Sequence, residues 1–274
     1  METLTPENYY QDKERLSTSR LKRYMECEAK ALAIDKGEWE DGLPQTALLV
    51  GNYVHSYFES DEAHQAFLDE NKDSILTKKG ELKKDFKIAE KVIKTLDSDP
   101  EFLLRYNGSE NDKVFKEYIL DEKLYGVPFK GKLDSLNLSK GYFIDLKTMR
   151  SIYDKKYSEK LGVSVPTIVY NIFEYGYHIQ TYVYQQLLML QELDFFTPYI
   201  IAVSKEDVPD KKLVRIDNEV LQQGKIELES VILRVADVAL GGAKPKPCGH
   251  CDYCKAHQFL NSEPVLVAEL IMQN

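Results

Sequence analysis

The sequence lacks several features that would place it in a well-defined class of proteins. Its longest apolar stretches, such as 46–50 and 199–203, are far shorter than the roughly 20 residues that span a bilayer. Acidic residues outnumber basic ones by 45 to 36, and the net charge of −9 excludes a protein that coats DNA through bulk positive charge. The first twelve residues contain three acidic side chains and no apolar segment, unlike a secretory signal. We therefore expect a cytoplasmic protein without a membrane partner.

The sequence also has no internal repeat, no low-complexity tract and no Gly/Ser-rich linker that would divide it. Its 274 residues, 43% hydrophobic and 30% charged, suffice for one large domain or two small ones with a packed core. The acidic total does not exclude a nuclease, because a carboxylate-rich metal site and a local basic groove can coexist with a negative net charge.

Cysteine is scarce, but its distribution is informative. Three of the four cysteines lie within seven residues and are Cys248, Cys251 and Cys254. The fourth, Cys27, lies far upstream. Thiols two residues apart let one short loop surround a single centre, and disulfides are disfavoured in a reducing cytosol, so the pattern predicts a metal site. An iron–sulfur cluster takes four thiolates; tetrahedral zinc fits as well, with four thiolates or with His250 or His257 replacing one.

Hydrophobic periodicity and turn residues predict helices first, then a sheet. The predicted helices span 17–29, 45–59, 83–96, 170–193 and 219–240, the last capped by Asn218. The predicted strands span 113–120, 127–138, 142–148, 197–204 and 211–217, and 161–166 is expected to be a turn. This order predicts an α/β fold in which helices flank a mixed central sheet.

The same pattern predicts how the chain is organised. We expect a single domain over 1–274. Within it, a helical subregion at 17–100 would contain Cys27 and His55, a sheet core at 112–217 would contain the chemistry, and a metal-binding cysteine loop would occupy 241–260.

The residues best placed for chemistry are Asp134, Asp145 and Lys147. Asp145 and Lys147 are two apart on a predicted strand, so they share one face of the sheet while Leu146 points into the core. If the strand of Asp134 pairs with theirs across the turn at 139–141, the two carboxylates converge. Adjacent carboxylates repel unless a cation neutralises them, and their oxygens suit Mg²⁺ or Mn²⁺, while the lysine can orient a water or stabilise a phosphate. The alternative is a solvent-exposed Asp–Lys pair on an ordinary hairpin.

Four segments together extend this motif. They read GNYVH at 51–55, GKLD at 131–134, DLKT at 145–148 and YHIQTYVY at 177–184. In this order they resemble the motifs of the PD-(D/E)xK nuclease superfamily and, within it, those of the RecE-type recombination exonucleases of phages and prophages and of the RecB-like nucleases. The resemblance implies a restriction-endonuclease-like fold.

The resemblance also implies roles for single residues. The implied catalytic residues are Asp134, Asp145, Lys147, Gln180 and Tyr184. The implied ligands of one or two Mg²⁺ (or Mn²⁺) ions are His55, Asp134, Asp145, the backbone carbonyl of Leu146 and, as a further candidate, Glu117. Lys147 would help to orient the attacking water, and Gln180 and Tyr184 would orient the lysine and contact DNA. For Glu117, a solvent-exposed side chain beside Lys116 is the alternative.

A second resemblance involves the cysteines. Residues 19–27 read SRLKRYMEC and are similar to the N-terminal helix of iron–sulfur nucleases of the RecB-like group, in which one early cysteine joins three late ones around a [4Fe-4S] cluster. The implied cluster ligands are Cys27, Cys248, Cys251 and Cys254. The last gap is shorter here than is usual in those relatives, so structural Zn²⁺ is the alternative. Because the centre would close a very long loop, we expect its role to be mainly structural.

The basic residues that follow the predicted catalytic strand, Arg150, Lys155 and Lys156, are the candidate phosphate contacts. By resemblance, the chain is predicted to be a metal-dependent exonuclease that degrades one strand of linear duplex DNA, 5′ to 3′, and exposes the other for recombination. Its expected partners are duplex ends, a single-strand annealing protein and further copies of itself, in a bacterial host if it is phage-encoded. The alternatives are an inactive DNA-binding scaffold with this fold, a RecB-like repair nuclease of other polarity, and a zinc-dependent regulatory module.

Overall fold

A computed structural model describes residues 2–40, 42, 45–259 and 266–267. The helices are α1 (Thr18–Glu26), α2 (Glu28–Lys36), α3 (Gln45–Glu59), α4 (Asp61–Glu70), α5 (Lys72–Ile75), α6 (Lys84–Asp97), α7 (Pro100–Asn107), α8 (Thr167–Phe173), α9 (Tyr177–Glu192), α10 (Asn218–Ala239) and α11 (Asp252–Ala256). The strands are β1 (Val114–Leu124), β2 (Val127–Asn137), β3 (Tyr142–Met149), β4 (Lys155–Ser158), β5 (Val163–Pro166), β6 (Thr197–Ser204) and β7 (Lys211–Arg215). Among the described residues, none of the helices combines the length and the apolar character that crossing a bilayer requires.

The central sheet has five strands in the order β1–β2–β3–β6–β7. Strands β1, β2 and β3 form an antiparallel meander, β6 pairs with β3 in parallel, and β7 closes the far edge antiparallel to β6. The parallel pair needs a long crossover connection, which contains the small β4–β5 hairpin and helices α8 and α9. The predicted fold class, a mixed sheet flanked by helices as in restriction endonucleases, is confirmed.

The sheet separates two hydrophobic clusters, and β3 contributes alternate side chains to each. Phe143 packs in the cluster that includes the buried faces of α9 and α10. Ile144 and Leu146 pack in the cluster formed with α3, α6 and α7. Asp145 and Lys147 therefore face the α9 side, while His55 on α3 lies on the other side of the sheet. A site that uses all three residues needs an opening between strands.

One long helix was predicted at 170–193, and this prediction is wrong. The structure has two helices, α8 and α9, separated at Gly176. Gly176 has a φ of +66°, in the left-handed region that glycine adopts readily, and this turn redirects the chain. The stretch at 161–166 that was expected to be only a turn contains strand β5, which pairs with β4.

Other boundaries also differ from the predicted ones. The predicted helix from Ser17 begins correctly, since the Ser17 side chain accepts a hydrogen bond from the Arg20 N–H, but it ends at Glu26, and Cys27 then caps the start of α2. The last helix is capped by Asp217 rather than by Asn218, because the Asp217 carboxylate accepts the Val220 N–H. Helices α4, α5 and α7 were not predicted. The last residue of the predicted cysteine loop, residue 260, and parts of the predicted domain over 1–274 lie outside the described residues.

Candidate active site

Strands β2 and β3 pair over only three residues and separate where the Asp134–Lys147 motif begins. The last pair is Ser135 with Ile144. Beyond it, the Asp134 side chain takes the place of a backbone partner, because its Oδ2 accepts a hydrogen bond from the Leu146 N–H at 2.6 Å. The separation gives polar side chains from both faces of the sheet access to one another.

Three candidate metal ligands converge in this opening. The donor atoms of His55 on α3, Glu117 on β1 and Asp134 on β2 all lie within 4.8 Å of one another. Nδ1 of His55 is 3.3 Å from Oδ1 of Asp134. Two carboxylates and an imidazole form a donor set that fits a divalent cation such as Mg²⁺ or Mn²⁺. The structure thus brings together three of the predicted ligands. The carboxylate of Asp145 is outside this group, and the predicted role of the Leu146 carbonyl stays a prediction.

Glu117 reaches this group through an uncommon backbone conformation. Its φ is +50°, within a strand, and it is the one residue of β1 that has no partner in β2. Such conformations cost roughly 1–3 kcal/mol and concentrate at functional sites. Burial and the charge of Asp134 raise the pKa of Glu117 to about 7, although Lys132 forms an ion pair with it at 2.5 Å. Repulsion between neighbouring carboxylates is what a bound cation would relieve.

Asp145 and Lys147 form a second group beside the first. Nζ of Lys147 is 2.6 Å from Oδ2 of Asp145, and Nε2 of Gln180 donates to Oδ1 of Asp145 at 3.1 Å. Burial opposes the charge of Lys147, but the Asp145 carboxylate outweighs it and raises the pKa of the lysine above its ordinary value. Burial raises the pKa of Asp145 in spite of the lysine. Gln180 thus contacts Asp145, the partner of Lys147, and its predicted role in orienting the lysine stays a prediction.

His55 and Asp134 shift one another's pKa. Burial opposes the imidazolium form, but the Asp134 carboxylate raises the pKa of His55 above its ordinary value. Burial would likewise raise the pKa of Asp134, but His55, Lys147 and the Leu146 N–H together lower it. Asp134 is therefore held ionised, as a metal ligand must be.

Two residues at the site were not assigned from the sequence. The ring of Tyr177 has its centre 5.1 Å from Nζ of Lys147, and Lys132 pairs with Glu117. Both residues stood inside the motifs that signalled the site, Tyr177 as the first letter of YHIQTYVY and Lys132 as the second of GKLD. Their types alone gave no signal, because tyrosine and lysine are both common in this sequence.

Tyr184 lines the same cleft as Asp134 and Asp145 and packs directly on β2. A Cβ atom added at Gly131 would lie 2.7 Å from Cε1 of Tyr184, a distance that packed atoms do not adopt. Gly131 therefore permits the close approach of α9 to β2, the strand that contains Asp134. Although Tyr184 lines the cleft, it forms no hydrogen bond with the metal ligands among the described residues.

Alanine substitutions at Gly131 and, as a control, at Gly51 test this packing. We expect Gly131→Ala to lower the free energy of unfolding by about 1–3 kcal/mol, because the methyl group displaces the Tyr184 ring. Gly51→Ala is the matched control: its Cβ would lie 3.9 Å from Oγ1 of Thr148, an ordinary contact, and alanine stabilises a helix by about 0.5–1 kcal/mol relative to glycine. Thermal melts of both variants would measure the difference, and equal melting temperatures would contradict this account of Gly131.

A cleft of about 520 Å³ leads from the site along the N-terminal segment. Its cationic lining residues are Lys13, Arg20, Arg23, Lys130, Lys132 and Lys147. Asp12, Asp35, Asp134 and Asp145 line it as well, and ion pairs join Arg20 to Asp35 and Lys130 to Asp12. The predicted phosphate contacts Arg150, Lys155 and Lys156 do not line this cleft, because the chain turns away from it after β3; their contact with DNA stays a prediction.

The four cysteines form a separate group at the other end of α1. The Sγ atoms of Cys27, Cys248, Cys251 and Cys254 all lie within 4.8 Å of one another, and none is in a disulfide. Sγ of Cys254 is 3.6 Å from that of Cys27 and 3.8 Å from that of Cys248. The backbone N–H of His250 lowers the pKa of Cys248 to about 6, whereas burial raises the pKa of Cys251 to about 12. The structure thus brings all four predicted ligands into one tetrathiolate group.

His250 and His257 are not part of that group. Nδ1 of His250 is hydrogen-bonded to the carbonyl oxygen of Cys248 at 2.8 Å, and Nδ1 of His257 to that of Tyr253 at the same distance. Among the described residues, neither imidazole joins the four sulfur atoms as a potential ligand. Four thiolates, rather than three and a histidine, form the donor set.

Residues 17–257 match the family described as "PDDEXK-like domain of unknown function (DUF3799)". Among solved structures, the chain is similar to that of a candidate exonuclease from Eubacterium rectale, with 32% identity, 98% of each chain covered and a TM-score of 0.83. The crystal structure of SSO0001 matches 77% of this chain and 93% of that chain at 13% identity, but its TM-score of 0.27 gives it no weight. No curated protein matches the sequence.

Proposed function

Because the chain belongs to the PDDEXK-like family DUF3799, we propose that it is a metal-dependent nuclease that hydrolyses phosphodiester bonds of DNA. One observation supports this most directly. His55, Glu117 and Asp134 form a divalent-cation donor set, and the Asp145–Lys147 pair lies directly beside it. The similarity to a structure named as a candidate exonuclease agrees with this proposal.

Each residue of the site has a distinct role in the proposed reaction. His55, Glu117 and Asp134 would hold a Mg²⁺ or Mn²⁺ ion, with Asp145 adjacent. When bound, such an ion neutralises charge on the phosphate and lowers the pKa of a water molecule. Nζ of Lys147, which is paired with the Asp145 carboxylate, would donate a hydrogen bond to the attacking water or to a phosphate oxygen. Gln180 holds Asp145, and Asp145 in turn fixes the ammonium.

We further propose that the substrate is the end of a linear duplex, degraded from 5′ to 3′, and that the exposed strand passes to an annealing protein. The cleft supports this substrate, because Lys13, Arg23 and other basic side chains line it together with Asp134 and Asp145, although Arg20, Lys130 and Lys132 are paired with Asp35, Asp12 and Glu117. A homo-oligomer would serve to keep the enzyme on its substrate during repeated cleavage.

Digestion of labelled DNA tests this function. Linear duplex labelled at one 5′ end or at one 3′ end, beside a circular duplex of the same sequence, should be incubated with Mg²⁺ and in parallel with chelator. We expect Mg²⁺-dependent loss of the 5′ label as mononucleotides or short oligonucleotides, and an intact circle. Cleavage of the circle would contradict the preference for ends, early loss of the 3′ label would reverse the polarity, and no cleavage of any DNA would defeat the assignment.

For the tetrathiolate group, we propose a structural Zn²⁺ ion. A tetrahedral ion with Zn–S bonds of about 2.3 Å separates its sulfur ligands by roughly 3.8 Å, close to the 3.6 and 3.8 Å found between Cys254 and its neighbours. A [4Fe-4S] cluster places eight atoms among its ligands, so it would require the sulfur atoms to move apart. Metal analysis after anaerobic purification decides between them: about one zinc per chain supports the ion, whereas four irons with a brown colour would support the cluster.

A further inference from the structure

Lysine and tyrosine side chains alternate along a line that begins at the active site and ends on the β4–β5 hairpin. We call this line the lysine–tyrosine ladder; its members are Lys147, Tyr177, Lys22, Tyr175, Lys156 and Tyr170. The ring centre of Tyr177 lies 5.1 Å from Nζ of Lys147 and 5.7 Å from Nζ of Lys22, so this one ring lies between two ammonium groups. These distances are those of cation–π contacts.

The ladder continues outward from Lys22. Nζ of Lys22 donates a hydrogen bond to the carbonyl oxygen of Tyr175 at 3.0 Å. Nζ of Lys156 lies 5.9 Å from the ring centre of Tyr175 and 4.9 Å from that of Tyr170, and the two rings meet edge to face at 5.6 Å. The ladder thus joins three elements that are distant in sequence: α1, the α8–α9 junction and the hairpin.

Gly176 makes the middle of the ladder possible. A Cβ at this position would lie 2.9 Å from Cδ of Lys22, so any side chain would push the lysine out of line. The same glycine turns the chain between α8 and α9 and thereby exposes Tyr175. Gly176 therefore determines both the position of the Lys22 side chain and the exposure of Tyr175.

Two of the three ladder lysines, Lys22 and Lys156, form no ion pair with a carboxylate among the described residues, whereas Lys147 is paired with Asp145. The ammonium groups of Lys22 and Lys147 both approach the ring of Tyr177, and the only hydrogen bond of Nζ of Lys22 among the described residues is to the Tyr175 carbonyl oxygen. A phosphate can therefore bind beside Lys22 without displacing a carboxylate.

The outer rings offer flat surfaces to solvent. Tyr175 is 51% exposed, and Lys156 beside it is also exposed. Backbone phosphates and stacked bases alternate along a nucleic acid strand, as ammonium groups and rings alternate here, and base–aromatic stacking requires bases that are unpaired. In a duplex the bases are already stacked on one another, so the rings fit a single strand.

We propose that the lysine–tyrosine ladder binds single-stranded DNA and guides it between the active site and the β4–β5 hairpin. The inference rests on the proposed nuclease function and names a surface for the strand next to the site of cleavage. Lys22 and Lys156 bind phosphates, and the rings of Tyr175 and Tyr170 stack on bases.

Binding of a short fluorescein-labelled oligothymidylate tests this inference, measured by anisotropy on the full chain in buffer passed over a chelating resin so that no cleavage occurs. We expect Tyr175→Ala to weaken binding about tenfold and Tyr175→Phe, which keeps the ring, to bind within about twofold of the wild type. With an abasic strand, Tyr175→Ala should have no effect, because no base remains to stack.

Lys156→Ala and Lys87→Ala form the matched pair for charge. Both lysines are exposed, but Lys156 contacts the rings of Tyr170 and Tyr175, whereas Lys87 lies on α6, which packs against the other side of the central sheet. We expect Lys156→Ala to weaken binding about fivefold and to reduce the slope of log K against log salt by about 0.7, and Lys87→Ala to change binding less than twofold. Equal losses in both variants, or no loss in either, would overturn the ladder.

The outcome separates this inference from the function on which it rests. If the wild type degrades duplex ends but the ladder variants bind the oligonucleotide like the wild type, the ladder is wrong and the nuclease assignment stands. If the wild type binds through the ladder but cleaves no DNA, the surface stands and the nuclease assignment fails. Tighter binding of an oligouridylate than of the oligothymidylate would replace DNA by RNA as the ligand and overturn the proposal.

Discussion

An Asp134→Asn variant should cleave linear duplex DNA at least about a thousandfold more slowly than the wild type. Asp134 is the central residue of the site, since its two oxygens contact His55 and the Leu146 N–H and its carboxylate belongs to the metal-ligand group. An amide keeps the shape but removes the charge that holds the cation, and metal-ion catalysis contributes several kcal/mol, or about three factors of ten in rate. Single-turnover cleavage of end-labelled duplex in saturating Mg²⁺ would measure the loss.

Glu59→Gln is the matched control for Asp134→Asn. Glu59 lies one helical turn after His55 and is exposed, so the change removes one negative charge near the site without removing a member of the ligand group. We expect its cleavage rate to stay within about twofold of the wild type. Comparable losses in both variants would show that the general negative potential, and not a defined ligand, supports activity. Full activity of Asp134→Asn would refute the site.

Asp134→Asn should also leave the fold intact. The amide oxygen of the substituted side chain can still accept the Leu146 N–H, and the loss of one charge relieves repulsion with Glu117, whose pKa is raised to about 7. We therefore expect the metal-free variant to melt close to the metal-free wild type, because the loss of the attraction to His55 and the relief of the repulsion with Glu117 oppose one another. An inactive variant with an unchanged melt would assign the loss to chemistry.

The central part of this site could be predicted because it depends on strand geometry. Residues two apart on a strand share a face, so Asp145 and Lys147 had to lie together and Leu146 had to be buried. The short turn between β2 and β3 then required those strands to be neighbours, which brought Asp134 alongside. Both statements follow from local rules that few tertiary contacts can override.

Other features of the site could not be predicted because no local rule requires them. The left-handed conformation of Glu117 is imposed on a residue type that seldom adopts it, so its presence among the ligands follows only from the surrounding packing. The break at Gly176 was missed because a single glycine within an apolar periodic stretch is compatible with a continuous helix. Its effect, room for Lys22 beside Tyr177, involves a helix more than 150 positions away.

The cysteine group, too, could be predicted only in part from local sequence. The spacing of Cys248, Cys251 and Cys254 predicted a loop around one centre, and the structure places Cys27 with them. What the spacing could not give is the arrangement of the sulfur atoms, because it depends on how α1, α2 and the C-terminal loop pack together. Hydrogen bonds from Arg234 to Glu28, and from the Lys246 N–H to the same carboxylate, fix that packing.

Replacing Cys27 with Ser should lower the melting temperature by about 10–15 °C. Cys27 lies between α1 and α2, and its Sγ is 3.6 Å from that of Cys254, which is more than two hundred residues away in sequence. The proposed ion would therefore close most of the chain into one loop. A cross-link over such a loop contributes on the order of 4–5 kcal/mol, and 1 kcal/mol shifts the melting temperature of a chain of this size by about 2–4 °C. Thermal melts with metal content measured on the same samples would test this.

Serine at position 27 shows whether the loss of the thiolate, rather than the loss of a helix cap, lowers the melting temperature. The Cys27 side chain also caps α2 by accepting the Lys30 N–H, and a serine hydroxyl can make that same hydrogen bond, so helix capping is preserved while metal binding is lost. His250→Ala is the control within the loop, because its ring is outside the sulfur group and its backbone N–H is retained; we expect it to keep both metal and melting temperature. If the Cys27→Ser protein kept both its metal and its melting temperature, the three late cysteines would bind the metal without Cys27. The contacts of α1 and α2, rather than the metal centre, would then hold the two ends of the chain together.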